Sequence, residues 1–178
     1  MATELPGLKI IRPKIFRDAR GAFIKTFHRD FFREHGIGFE PLEEFFSTSA
    51  KNVLRGMHFQ APPAAHAKLV YCLAGRVLDV VLDLRRNSPT FGRSCARELN
   101  AASHEIFFIP IGFAHGFLAL EDDSMMLYQT SSVHSPAHDA GVRWDSFGFA
   151  WPVENPILSE RDRTIPAFRD FSSPFEFA

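Results

Sequence analysis

Three short stretches of the chain gather side chains that can exchange protons, bind an anion or hold a metal. Leu54-Arg55-Gly56-Met57-His58-Phe59-Gln60 places an arginine, a histidine and a carboxamide in one run of strand length. Pro110, Gly112 and His115 form a turn that delivers a second histidine to the start of the apolar run Gly116-Phe117-Leu118. Leu127-Tyr128-Gln129-Thr130 carries one of only two tyrosines in the chain. Histidine changes charge near neutral pH and is the natural proton acceptor of such a set. A single histidine in an apolar strand is nevertheless more often a satisfied core group, and a single tyrosine a core aromatic with its hydroxyl at the rim. Lys68 and Arg55 alone read as surface charges. Asp162, inside Ser159-Glu160-Arg161-Asp162-Arg163, reads alone as a solvated loop carboxylate. His28, His35, His66, His104 and His138 have no motif around them and are expected at the surface.

The elements that must position these groups read as strands. Turn residues recur roughly every ten residues with short apolar or alternating stretches between them, the spacing of an all-β sandwich or barrel. From Arg76 to Arg85 the alternation puts Leu78, Val80, Leu82 and Leu84 on one face and Val77, Asp79, Val81 and Asp83 on the other. In the His58 strand the same period puts Arg55 and Met57 on one face and His58 and Gln60 on the other. Gly75 turns a hairpin between Lys68 to Ala74 and Arg76 to Arg85. Further strands are expected at Leu8 to Pro13, Gly21 to Phe27, Phe45 to Ser49, Phe91 to Leu99, Glu105 to Ile109, Gly116 to Leu120 and Met125 to Ser131. Helix is scarce: Asp30 is expected to cap a short one through Glu34, stopped by Gly36. After Ser135, the prolines at 136, 152, 156, 166 and 174 predict a tail that wraps over the barrel, so residues 1–178 are expected to form one domain.

Bulk properties narrow the partners. A formal net charge of -1 gives no long-range pull toward nucleic acid or an anionic membrane surface. Hydrophobic residues at 46% and charged residues at 23% are the balance of a soluble globular chain. Cys72 and Cys95 form no CxxC pair, and two cysteines are too few for a disulfide framework. The N-terminus has neither the basic start nor the apolar run of a signal peptide, and a cytoplasmic location is expected. The 20 phenylalanines need no hydrogen-bond partner, so they should fill a core or a subunit interface.

The Pro110-x-Gly112-x-x-His115 pattern resembles the second motif of the cupin superfamily of β-barrels. Many cupins bind metal through a first motif His-x-His; here that stretch reads His58-Phe59-Gln60, leaving His58 and His115 as nitrogen donors where a catalytic site usually needs three protein ligands. A metal-free pocket is the expectation. A longer set is similar to the dTDP-4-dehydrorhamnose 3,5-epimerase family: Val53 through Gln60, Lys68-Leu69-Val70, Asp79 through Arg86, Ser88 through Gly92, Ile109 through Phe117, Tyr128, Gly141 through Asp145 and Pro156 through Asp162. These run in the family's order over most of the chain.

The resemblance implies an all-β jelly-roll barrel with short peripheral helices, a homodimer, no cofactor, and a nucleotide-diphosphate 4-keto sugar as substrate. Protons at C3 and C5 of such a sugar lie beside the ketone, so their removal gives an enolate and reprotonation on the other face inverts the centre. By the resemblance His58 is the base, Asp162 orients it, Tyr128 is the acid on the opposite face, and Lys68 balances charge at the ketone oxygen. Arg20, Arg55 and His115 would bind substrate, with Asp79 bonded to His115. The nucleotide end departs from the family. Glu43-Glu44-Phe45-Phe46-Ser47 stands where Gln-Asp-Asn-His-Ser is common, Lys25 replaces a glutamate, and His134 replaces a stacking tyrosine. These changes lead to the expectation that Glu43, Lys25 and His134 accept a different nucleotide or sugar, with one centre or both inverted. A sugar ketoisomerase, a non-catalytic sugar-binding cupin and a metal-dependent oxygenase are the rival readings.

Overall fold

The computed structural model describes residues 1–177. Strands β1 (Lys9–Ile11), β2 (Ile15–Asp18) and β3 (Gly21–Ile24) and helix α1 (Arg29–Glu34) come first. Then follow β4 (Glu43–Ser49), β5 (Leu54–Gln60), β6 (Lys68–Ala74), β7 (Arg76–Asp83), β8 (Ser94–Asn100), β9 (Ile106–Ile109), β10 (Phe113–Ala119), β11 (Ser124–Thr130) and β12 (Asp139–Gly141). Helix α2 (Glu160–Thr164) and a single 3-10 turn (Phe168–Asp170) sit in the tail. Antiparallel pairing builds two five-stranded sheets, β1-β9-β6-β11-β4 and β12-β5-β10-β7-β8, beside a separate β2-β3 hairpin. This is the all-β build that the strand pattern predicts, in the jelly-roll form that the resemblance implies.

Both sheets contribute to one core. Val70, Phe107 and Met126 from the first sheet meet Val77, Val81, Leu99 and Phe117 from the second. The outer face of the first sheet is covered by Phe27, Phe32, Ile37 and Phe39. That of the second packs Val80 and Leu82 of β7, and Leu84 just beyond it, under Phe147, Phe149, Trp151, Phe168 and Phe171. The proline-rich tail thus wraps the barrel as expected, and the two faces of β7 divide as the alternation predicts. The inward face of β7 also carries Asp79, fully buried among apolar neighbours, a position that only a functional or well-paired carboxylate occupies.

The hairpin expected at Gly75 does not form: β6 pairs with β9 and β11 in the first sheet and β7 with β8 and β10 in the second, so Gly75 carries the chain across from one sheet to the other. Four further local expectations are corrected. The cap of α1 is His28, whose Nδ1 accepts the Phe31 N–H at 3.3 Å, while Asp30 lies in the first turn where its charge suits the helix dipole. Residues 88–92 form a tight turn, with Phe91 N–H donating to Ser88 and Gly92 N–H to Asp83, so β8 starts only at Ser94. Strand β3 ends at Ile24 because its sole partner is β2, a short strand not foreseen. The fourth concerns β5. Its pairing with β10 slips between His115↔His58 and Phe117↔Arg55, where two steps on β10 face three on β5. That β-bulge breaks the simple alternation, so Arg55 shares the cavity side with His58 and Gln60 while Met57 packs under the tail. Glycines make the bulge feasible. Gly56 has φ +145° and lies against Gly116, where a Cβ on either residue would fall within 3 Å of the other's backbone.

Candidate active site

A cavity of about 320 Å³ opens between the sheets at the bulge. Its wall includes His58 and Arg55 from β5, Lys68 from β6, His115 from β10, Tyr128 from β11, Glu43 and Phe45 from β4, and Asp162 from α2. His58 Nε2 lies 2.6 Å from Asp162 Oδ1. Asp162 reaches it because Ser159 caps α2, its Oγ accepting the Asp162 N–H at 3.1 Å. The carboxylate is 2% exposed, so the solvated-loop reading of this residue does not hold. Burial works against its ionisation, but the His58 bond and charge outweigh it, and its pKa lies below the ordinary value.

Burial dominates at His58 too, holding its pKa below 6.5 although Asp162 pulls upward through its hydrogen bond and charge. The ring is therefore neutral at neutral pH. With Nε2–H assigned to the carboxylate by the network, the lone pair sits on Nδ1, ready to accept a proton. Lys68 Nζ donates to the His58 carbonyl at 3.3 Å. Burial lowers its pKa to about 8, against the pull of Asp139 and Asp79. Tyr128 is held between a parallel stack on Phe45 (4.9 Å, 13°) and an edge contact with His115 (6.0 Å, 67°). Burial raises its phenol well above the ordinary value, so it stays protonated. His115 Nε2 and Asp79 Oδ2 are 2.8 Å apart, both side chains buried, the pair that the strand faces allow.

The remaining candidates divide. Arg55 is exposed at the mouth, its guanidinium steered by bonds to Ser49 Oγ (3.1 Å) and the Thr48 carbonyl (3.0 Å). Glu43 and His134 line the wall together, and the Glu43 carboxylate accepts the His134 backbone N–H at 2.6 Å. Arg20 and Lys25 are not brought to the cavity. Arg20 sits at the exposed tip of the β2-β3 hairpin, paired with Asp18, and Lys25 lines a separate hollow beside α1. Gln60, at the second cupin-motif position, is committed inside the protein. Its Oε1 accepts the Ser135 N–H at 2.6 Å, and its Nε2 donates to the Ala64 carbonyl and His66 Nδ1.

Among the wall residues that sequence reasoning passed over are Phe45, His66, Asp139 and Arg161. Arg161 donates to Asp139 Oδ1 at 2.7 Å, bringing a cation to the cavity beside Asp162; its place in the Glu160-Arg161-Asp162 run was the available signal. His66 was expected at the surface but is half-buried in the cavity wall. No motif marks it.

The model of a protein family described as dTDP-4-dehydrorhamnose 3,5-epimerase matches residues 2–170. The chain belongs to this family. A dTDP-4-dehydrorhamnose 3,5-epimerase from Shigella flexneri is 42% identical over 171 residues, covering 94% of each chain. The structure of the epimerase from Legionella pneumophila, solved in complex with dTDP-4-keto-L-rhamnose, superposes with a TM-score of 0.93 at 34% identity, covering 99% of this chain and 97% of that one. ChmJ, a 3'-monoepimerase from Streptomyces bikiniensis in complex with dTDP-quinovose, superposes with a TM-score of 0.87 at 33% identity, covering 93% and 85%. Within the dTDP-4-dehydrorhamnose 3,5-epimerase family this chain is an isomerase, an epimerase of nucleotide-linked 4-keto-6-deoxy sugars.

Proposed function

We propose that the enzyme inverts both C3 and C5 of a dTDP-linked 4-keto-6-deoxy sugar, with His58 as the base. The observation that carries this reading is the 2.6 Å His58–Asp162 bond opening on a cavity that also holds Lys68 and Tyr128. His58 takes the proton beside the ketone, and Asp162 stabilises the imidazolium that results. Lys68, still cationic near neutral pH, balances the enolate oxygen. Tyr128 supplies the proton to the other face, and its raised pKa keeps that proton in place until it is needed. One proton leaves to His58 and another arrives from Tyr128, and both residues regain their starting states by exchange with solvent, so the substrate keeps its oxidation state and no redox partner is needed. Arg55 and His115 hold the substrate.

For the nucleotide, we favour dTDP over the alternative suggested by the substitutions. Lys25 stands outside the cavity, one oxygen of the Glu43 carboxylate is taken by the His134 amide, and the solved relatives from Legionella pneumophila and Streptomyces bikiniensis hold dTDP-linked sugars. We further propose a single-domain, cytoplasmic homodimer. The β2-β3 hairpin leaves Phe16 and Phe23 49% and 62% exposed, and an isolated two-stranded hairpin is marginal in water without a surface to pack on. Turnover of dTDP-, CDP- and GDP-linked 4-keto-6-deoxyglucose, with product stereochemistry read by NMR, tests the reading. Preference for the dTDP sugar with both centres inverted is expected; preference for another nucleotide, or inversion at one centre alone, would overturn that part.

A further inference from the structure

One cavity-wall histidine has no task in this chemistry. His66 stands between Gln60 on one side and the Lys68 strand on the other, and the hydrogen-bond network fixes its tautomer. The Ser135 backbone N–H can only donate, so the Gln60 atom 2.6 Å from it is the amide oxygen. The other end of the amide is therefore NH2, with the Ala64 carbonyl at 2.9 Å, His66 Nδ1 at 3.0 Å and the Val133 carbonyl at 3.3 Å around its two protons, and an NH2 cannot accept a bond from an Nδ1–H facing it. Nδ1 must accept, which places the proton of the neutral ring on Nε2. Burial, reinforced by the charges of Lys68 and His134, lowers the pKa of this ring to about 3, so it is a neutral donor at any working pH. His66 Nε2 is itself buried and meets no hydrogen-bond partner among the described residues, although its side chain lines the cavity. Buried donors are almost always paired.

We propose that His66 is a substrate-binding residue whose Nε2–H donates to an uncharged oxygen of the bound nucleotide sugar. A neutral imidazole adds no charge for the diphosphate, which the guanidinium of Arg55 suits far better. A hydroxyl or carbonyl oxygen, on the sugar or on the nucleoside, is the matching acceptor. The proposal rests on reading this cavity as the nucleotide-sugar site.

Two substitutions separate binding from support of Gln60. In H66Q the amide nitrogen reaches the place of Nε2, keeping the donor and losing the Nδ1 acceptor. In H66N the shorter amide stops near the place of Nδ1, keeping a partner for Gln60 and losing the donor. Titration calorimetry with dTDP-glucose and with dTDP would be run on wild type and both variants. H66N is expected to weaken dTDP-glucose binding roughly tenfold, with H66Q close to wild type. A loss confined to dTDP-glucose puts the acceptor on the sugar; an equal loss with dTDP puts it on the nucleotide. Wild-type affinity in H66N overturns the proposal. So does the reverse order, H66Q weak and H66N strong, which would make His66 a prop for Gln60. Wild type binding neither ligand would instead overturn the reading of the cavity itself, and the proposal with it.

Discussion

The His58 end of the cavity and the β2-β3 hairpin carry residues that the resemblance assigns to one binding site, yet the fold treats them in opposite ways. His58, Lys68 and Tyr128 project from central strands, each paired on both sides, and Asp162 is locked by a capped helix turn. Burial sets the direction of the pKa shift at His58, Lys68 and Tyr128, while at Asp162 the His58 bond and charge outweigh it. Arg20, by contrast, rides on a two-stranded ribbon with 90% of its side chain exposed and only a neighbouring aspartate for a partner. The contrast teaches where this fold invests rigidity. Proton transfer needs groups held at fixed distances in a dry setting, whereas an arginine outside the cavity acts on an anion only as a distant charge and tolerates an exposed mount.

That difference can be broken most forcefully at Asp162. Asp162→Asn is expected to lower kcat/KM by about a thousandfold, through loss of the charge that stabilises protonated His58. It should also move the acid limb of the pH profile. His58 must be neutral to act, and its pKa already lies below 6.5. Asp162 raises that pKa, so removing its charge shifts the acid limb to still lower pH. An unchanged limb would show that the carboxylate only props the ring. On the alkaline side, Lys68 must keep its proton, and burial has brought its pKa to about 8. The wild-type kcat/KM should therefore fall above about pH 8, and Lys68→Arg, which cannot lose its charge in this range, should remove that fall even if activity is reduced. The smallest effect is expected at the hairpin. Arg20→Ala, at a residue the fold leaves outside the cavity, should keep kcat nearly unchanged and raise KM at most severalfold. The melting temperature should not move, because the only interaction removed is an exposed ion pair. A fall in kcat matching that of Asp162→Asn would erase the distinction between the two regions.

Much of this contrast was legible in the residues. The two faces of β7 and the wrapping tail follow from alternation and punctuation, which are local properties; that Gly75 passes the chain from one sheet to the other instead of closing a hairpin is not local. The catalytic candidates followed from a resemblance spread over the chain, and four of them, His58, Lys68, Tyr128 and Asp162, line one cavity. What stayed hidden depends on long-range geometry. The bulge that turns Arg55 toward His58 arises only when β5 meets the glycine of β10. Asp162 looked solvated because its burial depends on a helix turn docking against a strand 104 residues away in sequence. His66 gave no local sign, since its setting is made by Gln60 and a loop at Ser135.

The central claim is that His58 removes a proton from the carbon beside the ketone. Solvent deuterium incorporation into dTDP-4-keto-6-deoxyglucose, followed by NMR for wild type and His58→Ala, measures that step directly. The account predicts deuterium at C3 and C5 with wild type and at neither carbon with the variant. Exchange that persists in His58→Ala would place the base elsewhere and contradict it.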